Sequence, residues 1–276
     1  MMFRKLKVNF ETVLLIAALL VGISLVVYPT VSDYWNSFHQ SKAVASYVQD
    51  VEDLEEGEKE RLQEEARAYN EKLPQNVTPS LHVDQNEKSL YDRTFKVSKS
   101  GMMAYIEIPK LNLTLPIYHG TDETVLRVAI GHIPGTSFPI GGKGSHAVLS
   151  GHRGLPSARL FTDIDQLVEG DTFMIQVLDE TLTYQVDQIL TVLPQEVSAL
   201  RIDPNQDYVT LITCTPYGIN THRLLVRGHR VVTIKNDVRV TSEASQVETL
   251  LVAPVIAVLI FIMMLLVVTV YRKCRQ

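Results

Sequence analysis

Two membrane-length apolar runs lie near the ends of this 276-residue chain and limit what can lie between them. The first extends roughly from Val13 to Val27, behind a basic start that includes Lys7. The second extends from Leu250 to Val270, ahead of Arg272. About 20 apolar residues cross the ~30 Å hydrocarbon core of a bilayer as a helix. Because basic residues favour the cytoplasmic side, the two runs predict a double-pass cell-membrane protein whose intervening domain is extracellular.

A cleaved signal peptide is the alternative interpretation of the first run, since signal peptides share its basic start and apolar core. The small-x-small cleavage site does not follow the run, and Val26-Val27-Tyr28-Pro29 stands in its place. This difference favours an uncleaved anchor.

The segments between the two runs differ in pattern. Apolar residues recur at three- and four-residue steps from Tyr47 to Leu73, with a break beside Gly57. This predicts two helices that pack one stripe against the main domain. The predicted organisation is a tail and anchor (1–30), a helical extension (31–73), a polar lid-like or linker segment (74–101), a β-rich main domain (102–236), a tether (237–249), a second transmembrane helix (250–271) and a cytoplasmic tail (272–276).

Short β-rich segments follow one another from Met102 onward. Phe173–Leu178 and Leu182–Asp187 flank Asp179-Glu180-Thr181, which is the pattern of a β-hairpin. The other strand-like segments are Ala104–Pro109, Leu113–Tyr118, His146–Ser150, Tyr208–Thr213 and Arg223–Val232. Short strands with regular turn signals and few helices predict a mainly β fold, a closed or nearly closed barrel of about eight strands.

Cys214 stands at the end of an apolar strand-like segment, where a turn begins. It is one of two cysteines, and the other, Cys274, follows the second apolar run, so the extracellular domain offers it no disulfide partner. An unpaired thiol in an oxidising compartment indicates a functional cysteine. A buried structural cysteine is the alternative. A reactive thiol also needs a neighbouring base or positive charge.

Three histidines precede Cys214 in the β-rich region, and His152 is the best placed to serve as that base. It lies in Ser150-Gly-His-Arg-Gly154, where glycines free the backbone directly after a strand. His132 has a weaker version of the same setting, and His146 opens a strand, which is typical of a packed residue. Their spacings lack the short repeats of zinc ligands, so we predict no metal and no cofactor.

Arg223 begins the strand that follows Cys214. Adjacent antiparallel strands would place its guanidinium beside the thiol, where planar donors can stabilise an oxyanion. An exposed strand-end arginine is the alternative.

The chain order His, Cys, Arg differs from the papain order, and the caspase Gln-Ala-Cys signature is missing. A net charge of −5 without a basic stripe gives no signal for nucleic-acid binding.

Thr210-Leu-Ile-Thr-Cys214 matches the TLxTC signature of sortases, and the segments around His152 and Arg223 resemble class C, the pilin-polymerising sortases of Gram-positive bacteria. The resemblance implies a sortase-like catalytic barrel over residues 102–236. It implies that Cys214 attacks an LPxTG-like sorting signal, that His152 acts as acid and base, and that Arg223 stabilises the oxyanion. The implied partners are pilin subunits with an acceptor lysine, with lipid II or the cell wall as terminal acceptor.

Two alternatives stay open beside pilin assembly. A housekeeping-type sortase, which attaches surface proteins to peptidoglycan, uses the same three residue types, and a membrane-tethered interaction module would carry an inactive barrel. The second anchor and the helical extension favour pilin assembly.

The chain departs from the class C pattern in the lid. Class C enzymes carry an Asp-Pro-aromatic motif, and this motif is missing from Gln75–Ser100. Tyr91 and Phe95 are the aromatic residues that could take its place. The resulting prediction is a site less occluded than in lidded relatives.

Overall fold

The β-rich region that begins near Met102 folds into eight strands. The structure, a computed structural model, describes residues 10–74 and 84–233. The strands are β1 (Met102–Ile108), β2 (Leu113–His119), β3 (Ile130–His132), β4 (Ser145–Ser150), β5 (Thr172–Val177), β6 (Glu180–Val192), β7 (Asp207–Thr215) and β8 (His222–Val231).

These strands close into a barrel in the order β1-β2-β3-β4-β7-β8-β6-β5, which confirms the predicted closed barrel of about eight strands. β2 pairs with β3, and β4 with β7, in parallel, and the other pairs are antiparallel. β5 and β6 form the predicted hairpin. The sequence analysis missed β3, because a segment of three residues is too short to stand out as β-rich.

Two long helices precede the barrel. α1 extends over Phe10–Glu52 and α2 over Glu56–Lys72. The predicted break lies just before Gly57, which itself falls in the first turn of α2. Among the described helices, α1 is the one long and apolar enough to cross a membrane. The predicted tether and second span, residues 237–271, lie outside the described residues.

The apolar stripe of these helices packs against the barrel, as predicted. The members of the stripe that are fully buried are Tyr47, Val51, Leu62 and Ala66. The Tyr47 hydroxyl donates a hydrogen bond to the Met103 carbonyl oxygen (3.0 Å) and accepts one from the Leu178 N–H (2.9 Å). A buried hydroxyl with both partners in place fixes α1 on the barrel wall. Of the described residues, 29–74 and 84–233 belong to one compact unit.

The polar segment 74–101 contains a helix that the sequence analysis missed. α3 extends over Gln85–Arg93, and residues 75–83 lie outside the described residues. Asp84 accepts hydrogen bonds from the N–H groups of Asn86 and Glu87 (2.8 Å each), and the Glu87 carboxylate accepts one from the Asp84 N–H. This reciprocal capping box is a recognised start signal for a helix. The spacing of Asp84 and Glu87 in the sequence was therefore the overlooked sign.

Candidate active site

Cys214 and Arg223 lie directly opposite each other on neighbouring antiparallel strands. Cys214 is the penultimate residue of β7, Arg223 is the second residue of β8, and the two are register partners. Side chains of such partners stand about 5 Å apart at Cβ. Cys214 is a free, half-buried cysteine. The predicted neighbourhood of thiol and guanidinium therefore follows from the register of β7 and β8.

His152 lies at the same end of the barrel, because its strand runs parallel to the cysteine strand. β4 pairs with β7 up to Ser150 and Ile212, and His152 and Cys214 each follow that pair by two residues. The Gly151 N–H donates a hydrogen bond to the Ile212 carbonyl oxygen (3.0 Å), which extends the ladder past the end of β4. The parallel pairing thus brings together two residues that are 62 positions apart.

Thr213 and Gly151, the residues just before Cys214 and His152, are each required by a close contact. The Thr213 hydroxyl donates a hydrogen bond to the Gly151 carbonyl oxygen (2.8 Å), which ties the His152 loop to β7. A Cβ atom at Gly151 would come within 2.6 Å of the Ile130 side chain and 2.7 Å of the Phe161 ring. These distances are too short for any side chain, so glycine is required where the loop leaves β4.

Glu123 faces His152 from the short helix α4 (Glu123–Leu126). Its Oε2 lies 3.6 Å from His152 Nε2, which is shielded from solvent and makes no hydrogen bond. Arg127 Nε donates a hydrogen bond to Glu123 Oε1 (3.0 Å) and so orients the carboxylate. This hydrogen bond, together with the nearby imidazole of His152, lowers the pKa of Glu123. The carboxylate is therefore ionised near neutral pH and available to pair with an imidazolium.

A second side-chain hydrogen bond, in addition to that of Thr213, joins the loop that holds His152 to β7. Arg153 Nη1 donates a hydrogen bond to Thr215 Oγ1 (3.2 Å), and Arg153 Nη2 forms an ion pair with Asp165. Gly154, with φ +76°, lies against the Tyr217 ring, whose atoms would stand 2.6 Å from a Cβ there. Neither Glu123 nor Tyr217 was singled out from the sequence, and Arg153 was quoted in a motif without a role. No local pattern marks residues that act across such separations.

Arg223 is held by its own loop. Its Nη1 donates hydrogen bonds to the carbonyl oxygens of Asn220 (3.2 Å) and His222 (3.0 Å). The same loop exposes Tyr217 and Ile219 to solvent beside the cysteine strand. The guanidinium is thus positioned by backbone acceptors, and most of its donors stay free for a bound substrate.

His132 and His146 are packed residues, in agreement with their weaker ranking. Burial lowers the pKa of His132 to about 3 and that of His146 to about 4. His146 Nε2 hydrogen-bonds Thr210 Oγ1 (2.7 Å), and His146 Nδ1 hydrogen-bonds the Arg201 carbonyl oxygen (3.0 Å). Both rings are neutral and fully hydrogen-bonded inside the protein.

The aromatic residues that the sequence offered as lid substitutes are core residues instead. Tyr91 and Phe95 are fully buried, and Tyr91 stacks on Phe138 with ring centroids 5.4 Å apart. The Tyr91 hydroxyl hydrogen-bonds His132 Nδ1 (2.9 Å) and accepts from the Gly120 N–H (2.9 Å). A side chain committed to these interior contacts cannot also cover Cys214. The rest of the lid prediction falls partly on residues 75–83, outside the described residues.

Metal-ligand chemistry has no cluster to support it in the part of the chain that the structure describes. Across residues 10–74 and 84–233, no three side chains of the His, Cys, Asp and Glu types come together as a metal site.

The chain is similar in sequence and fold to known proteins. Residues 106–231 match the family model described as Sortase domain. Sortase D of Bacillus subtilis is 27% identical over 163 residues, which cover 58% of this chain and 78% of that protein. Sortase A of Bacillus anthracis is 29% identical over 137 residues, covering 50% of this chain and 63% of that protein.

Solved structures are more similar than these relatives. The crystal structure of sortase C1 from Streptococcus agalactiae is 47% identical, with a TM-score of 0.66, and the match covers 70% of this chain and 100% of that one. Sortase C from Streptococcus pneumoniae is 36% identical, with a TM-score of 0.62, over 70% and 97% of the two chains. A lid mutant of sortase A from Corynebacterium diphtheriae is 40% identical, with a TM-score of 0.62, over 66% and 98%.

A closed eight-stranded barrel with a thiol and a guanidinium opposed at one end, together with these similarities, defines a cysteine transpeptidase. The chain belongs to the sortase family.

Proposed function

We propose that this sortase joins pilin subunits through lysine isopeptide bonds, with Cys214, His152 and Arg223 as its catalytic residues. The observation that supports the proposal is the strand register, by which β4, β7 and β8 carry these three residue types toward the same end of the barrel. Acyl transfer through a thioester requires a nucleophile, a proton carrier and an oxyanion donor. The cleft supplies one of each.

In the first half-reaction the Cys214 thiolate attacks the threonine carbonyl carbon of an LPxTG-like sorting signal. The carbonyl electron pair moves to oxygen, and Arg223 donates hydrogen bonds to the resulting oxyanion. The oxyanion then collapses, and the Thr–Gly C–N bond breaks. The imidazolium of His152 gives its proton to the leaving amine. The product is a thioester on Cys214, and Glu123 pairs with the imidazolium before the transfer.

In the second half-reaction an amine resolves the thioester. The ε-amino nitrogen of an acceptor lysine attacks the thioester carbonyl, and neutral His152 accepts the proton that the amine loses. The C–S bond breaks and restores the thiolate. The new bond is an isopeptide between the threonine carboxyl and the lysine, so the enzyme returns to its starting state without a cofactor.

The similarity to class C enzymes supports pilin as the substrate. Sortase C1 of Streptococcus agalactiae and sortase C-1 of Actinomyces oris are 47% and 43% identical to this chain. The structure of the Streptococcus pneumoniae enzyme is described as giving insight into pilin substrate specificity. The helices α1 and α2 that pack on the barrel also fit the helical extension that the class C resemblance implies.

Attachment of surface proteins to the cell wall is the second candidate function. Sortase A enzymes of Bacillus anthracis and of Streptococcus agalactiae are each 29% identical to this chain, over 50% and 45% of it. Both functions share the first half-reaction and differ in the amine that resolves the thioester. With lipid II as acceptor, the same cleft would produce wall-linked monomers in place of polymers.

The proposed membrane topology serves either function. We expect residues 1–30 to anchor the chain, residues 31–236 to lie outside the cell, and residues 250–271 to return to the cytoplasm, where 272–276 end. Sorting-signal substrates held at the same membrane would then meet the cleft without leaving the surface.

Co-expression of the full chain with candidate pilins tests the proposal. The expected result is a ladder of covalent pilin polymers that resists boiling in detergent. The Cys214→Ala variant should yield no ladder, and Cys274→Ala is the matched control that should keep it. Pilin recovered only as monomers joined to a cell-wall peptide would contradict polymerisation and identify the housekeeping reaction. Ladders formed by Cys214→Ala would contradict the assignment of the nucleophile.

A further inference from the structure

The first turns of α1 beyond Pro29 attach to the catalytic domain by one polar face, here called the inner α1 face (Asp33, Asn36 and Gln40). These residues are spaced by three and four positions and so lie on one side of the helix. Three hydrogen bonds hold the face, from Asn36 Nδ2 to the Ser157 carbonyl oxygen (2.6 Å), from the Arg159 N–H to Asp33 Oδ1 (2.8 Å), and from Gln40 Nε2 to the Val128 carbonyl oxygen (2.8 Å).

The opposite side of the same turns carries large apolar side chains, here called the outer α1 face (Val31, Trp35 and Phe38). These positions are also spaced by four and three residues, and helical geometry places them away from the inner face. The exposed fractions are 37% for Val31, 63% for Trp35 and 50% for Phe38. Lys42 and Gln49 continue this side of the helix and are exposed polar residues. The apolar surface is therefore confined to the turns nearest the first apolar run.

Within residues 10–74 and 84–233, no packing contact accounts for two exposed aromatic rings at these positions. The ring contacts of Trp35 and Phe38 among the described residues are with His39, one residue or one turn away on α1. Single exposed apolar residues are ordinary on protein surfaces. A valine and two aromatics aligned on one helix face are a different case, since together they form a continuous apolar surface opposite a polar, bonded one.

Chain length indicates what covers this surface. The apolar run Val13–Val27 has 15 residues, which rise about 22 Å as a helix, against a hydrocarbon core of ~30 Å. Glu11 and Lys7 limit its extension on the cytoplasmic side. A span of about 20 residues beginning at Val13 reaches Ser32. Trp35 then lies about 5 Å beyond the hydrocarbon, inside a headgroup layer that is roughly 5–8 Å deep.

We propose that the outer α1 face binds the interfacial layer of the lipid bilayer. Tryptophan and other aromatic rings are enriched at that depth, where an apolar ring meets hydrated headgroups. By the same helical rise Val31 stands at the edge of the hydrocarbon and Phe38 about 9 Å beyond it, at the outer limit of the layer. Lys42 and Gln49 stand farther out, in water. α1 thus serves as an anchor inside the bilayer and as a two-sided spacer at its surface.

The inner α1 face thus joins these turns to the catalytic unit itself. It binds Ser157 and Arg159, which follow His152 in the chain, and Val128, which follows α4 with Glu123. The lipid contact rests on the N-terminal anchor of the proposed topology and is independent of which amine resolves the thioester.

Trp35 is the single tryptophan of the chain, so its fluorescence tests the contact directly. The full chain is reconstituted in phosphatidylcholine nanodiscs, with or without lipids brominated near the glycerol end of the acyl chains. We expect these bromolipids to remove most of the Trp35 emission and aqueous iodide to remove little. The matched control is Trp35→Phe combined with Gln49→Trp, which puts the fluorophore on the same side of α1 but farther from the bilayer. Iodide should quench the control, and bromolipid should not.

Two results would overturn the proposal. Equal iodide quenching of Trp35 and of the control, without bromolipid quenching, would place the outer α1 face in water. Protection of Trp35 from both quenchers would show that protein covers it, either another segment of this chain or a second copy. Pilus polymerisation can fail in the co-expression experiment without affecting this readout, so the two proposals stand or fall separately.

Discussion

His132 on β3 and His152, in the loop just past the neighbouring strand β4, stand in opposite environments. His132 ends β3, is wholly buried, and hydrogen-bonds Tyr91 through Nδ1 and the Ser137 carbonyl oxygen through Nε2 (2.8 Å). His152 lies two residues beyond Ser150, which pairs with Gly131 in β3, and its Nε2 makes no hydrogen bond. Both histidines follow a glycine in the sequence and looked alike there. The two histidines differ in whether the fold supplies hydrogen-bond partners for the ring nitrogens.

A satisfied, buried ring stays neutral, because burial disfavours the charged form and both ring nitrogens already have partners. An unsatisfied ring at a cleft can exchange a proton with a substrate. Substitutions that act on one histidine should therefore change stability, and substitutions that act on the other should change turnover.

The largest expected effect is on turnover. His152→Asn should lower kcat by about 10²- to 10⁴-fold, because the variant loses its proton carrier. Its unfolding midpoint should stay near that of the parent, since the ring is partly exposed. The measurement is cleavage of an LPxTG-like peptide by the full chain in detergent, together with thermal unfolding. Turnover within a few-fold of the parent would remove His152 from the catalytic set.

The next substitution tests the buried ring of His132. Tyr91→Phe removes the hydroxyl that pairs with His132 Nδ1 and the Gly120 N–H. Leaving two buried polar groups without a partner should cost about 1–3 kcal/mol in the free energy of unfolding. The turnover of the folded fraction should not change. Ser89→Ala, at an exposed position of the same helix, is a control that should leave both quantities as they are. A turnover defect in Tyr91→Phe at unchanged stability would mean that α3 acts on the cleft.

The pH dependence of stability sharpens the comparison further. The folded state lowers the pKa of His132 to about 3 and of His146 to about 4, from 6.5. Below pH 6.5 the unfolded chain therefore binds protons that the folded chain refuses, and stability falls as the pH falls. Each ring should cost about 1 kcal/mol between pH 7.5 and pH 5.5. Urea midpoints at the two pH values measure the loss, and His146→Gln should reduce it. Equal midpoints at both values would contradict the assignment.

The smallest expected effect concerns Glu123. Glu123→Gln keeps the size of the side chain but removes the charge that faces His152 Nε2 at 3.6 Å. We expect kcat to fall about two- to fivefold, with KM and the unfolding midpoint unchanged, because an exposed ion pair contributes little. Glu123→Asp should recover part of the loss. Glu64→Gln on α2, another exposed glutamate in an ion pair with an arginine, is the matched control. An effect on KM alone would assign Glu123 to substrate binding.

Much of the barrel could be predicted because its signals are local. Short β-rich segments bounded by turn signals identified seven of the eight strands, and the turn between β5 and β6 identified the hairpin. The order in which the strands pair had no such signal. The parallel pairing of β4 with β7 joins segments about 60 residues apart, and only packing of the whole chain selects it.

The candidate site divides in the same way. Cys214, His152 and Arg223 could be named from their residue types, their strand-end positions and their order. Glu123, Arg153 and Tyr217 could not, because each acts on a residue that the fold brings near from elsewhere in the chain. The role of Tyr91 was mistaken for the same reason, since an aromatic residue in a polar segment gives no sign of which surface will bury it.

The sequence by itself determined the family, the candidate nucleophile and the first apolar run, because each depends on which residues are present and on short-range spacing. The tertiary structure decided which histidine keeps an unpaired nitrogen and which side of α1 remains exposed. Those outcomes depend on burial and hydrogen-bond satisfaction, which are properties of contacts between distant segments. The same glycine-histidine pair occurs at residues 131–132 and 151–152. Only the surrounding fold gives His132 Nε2 a hydrogen-bond partner and leaves His152 Nε2 without one.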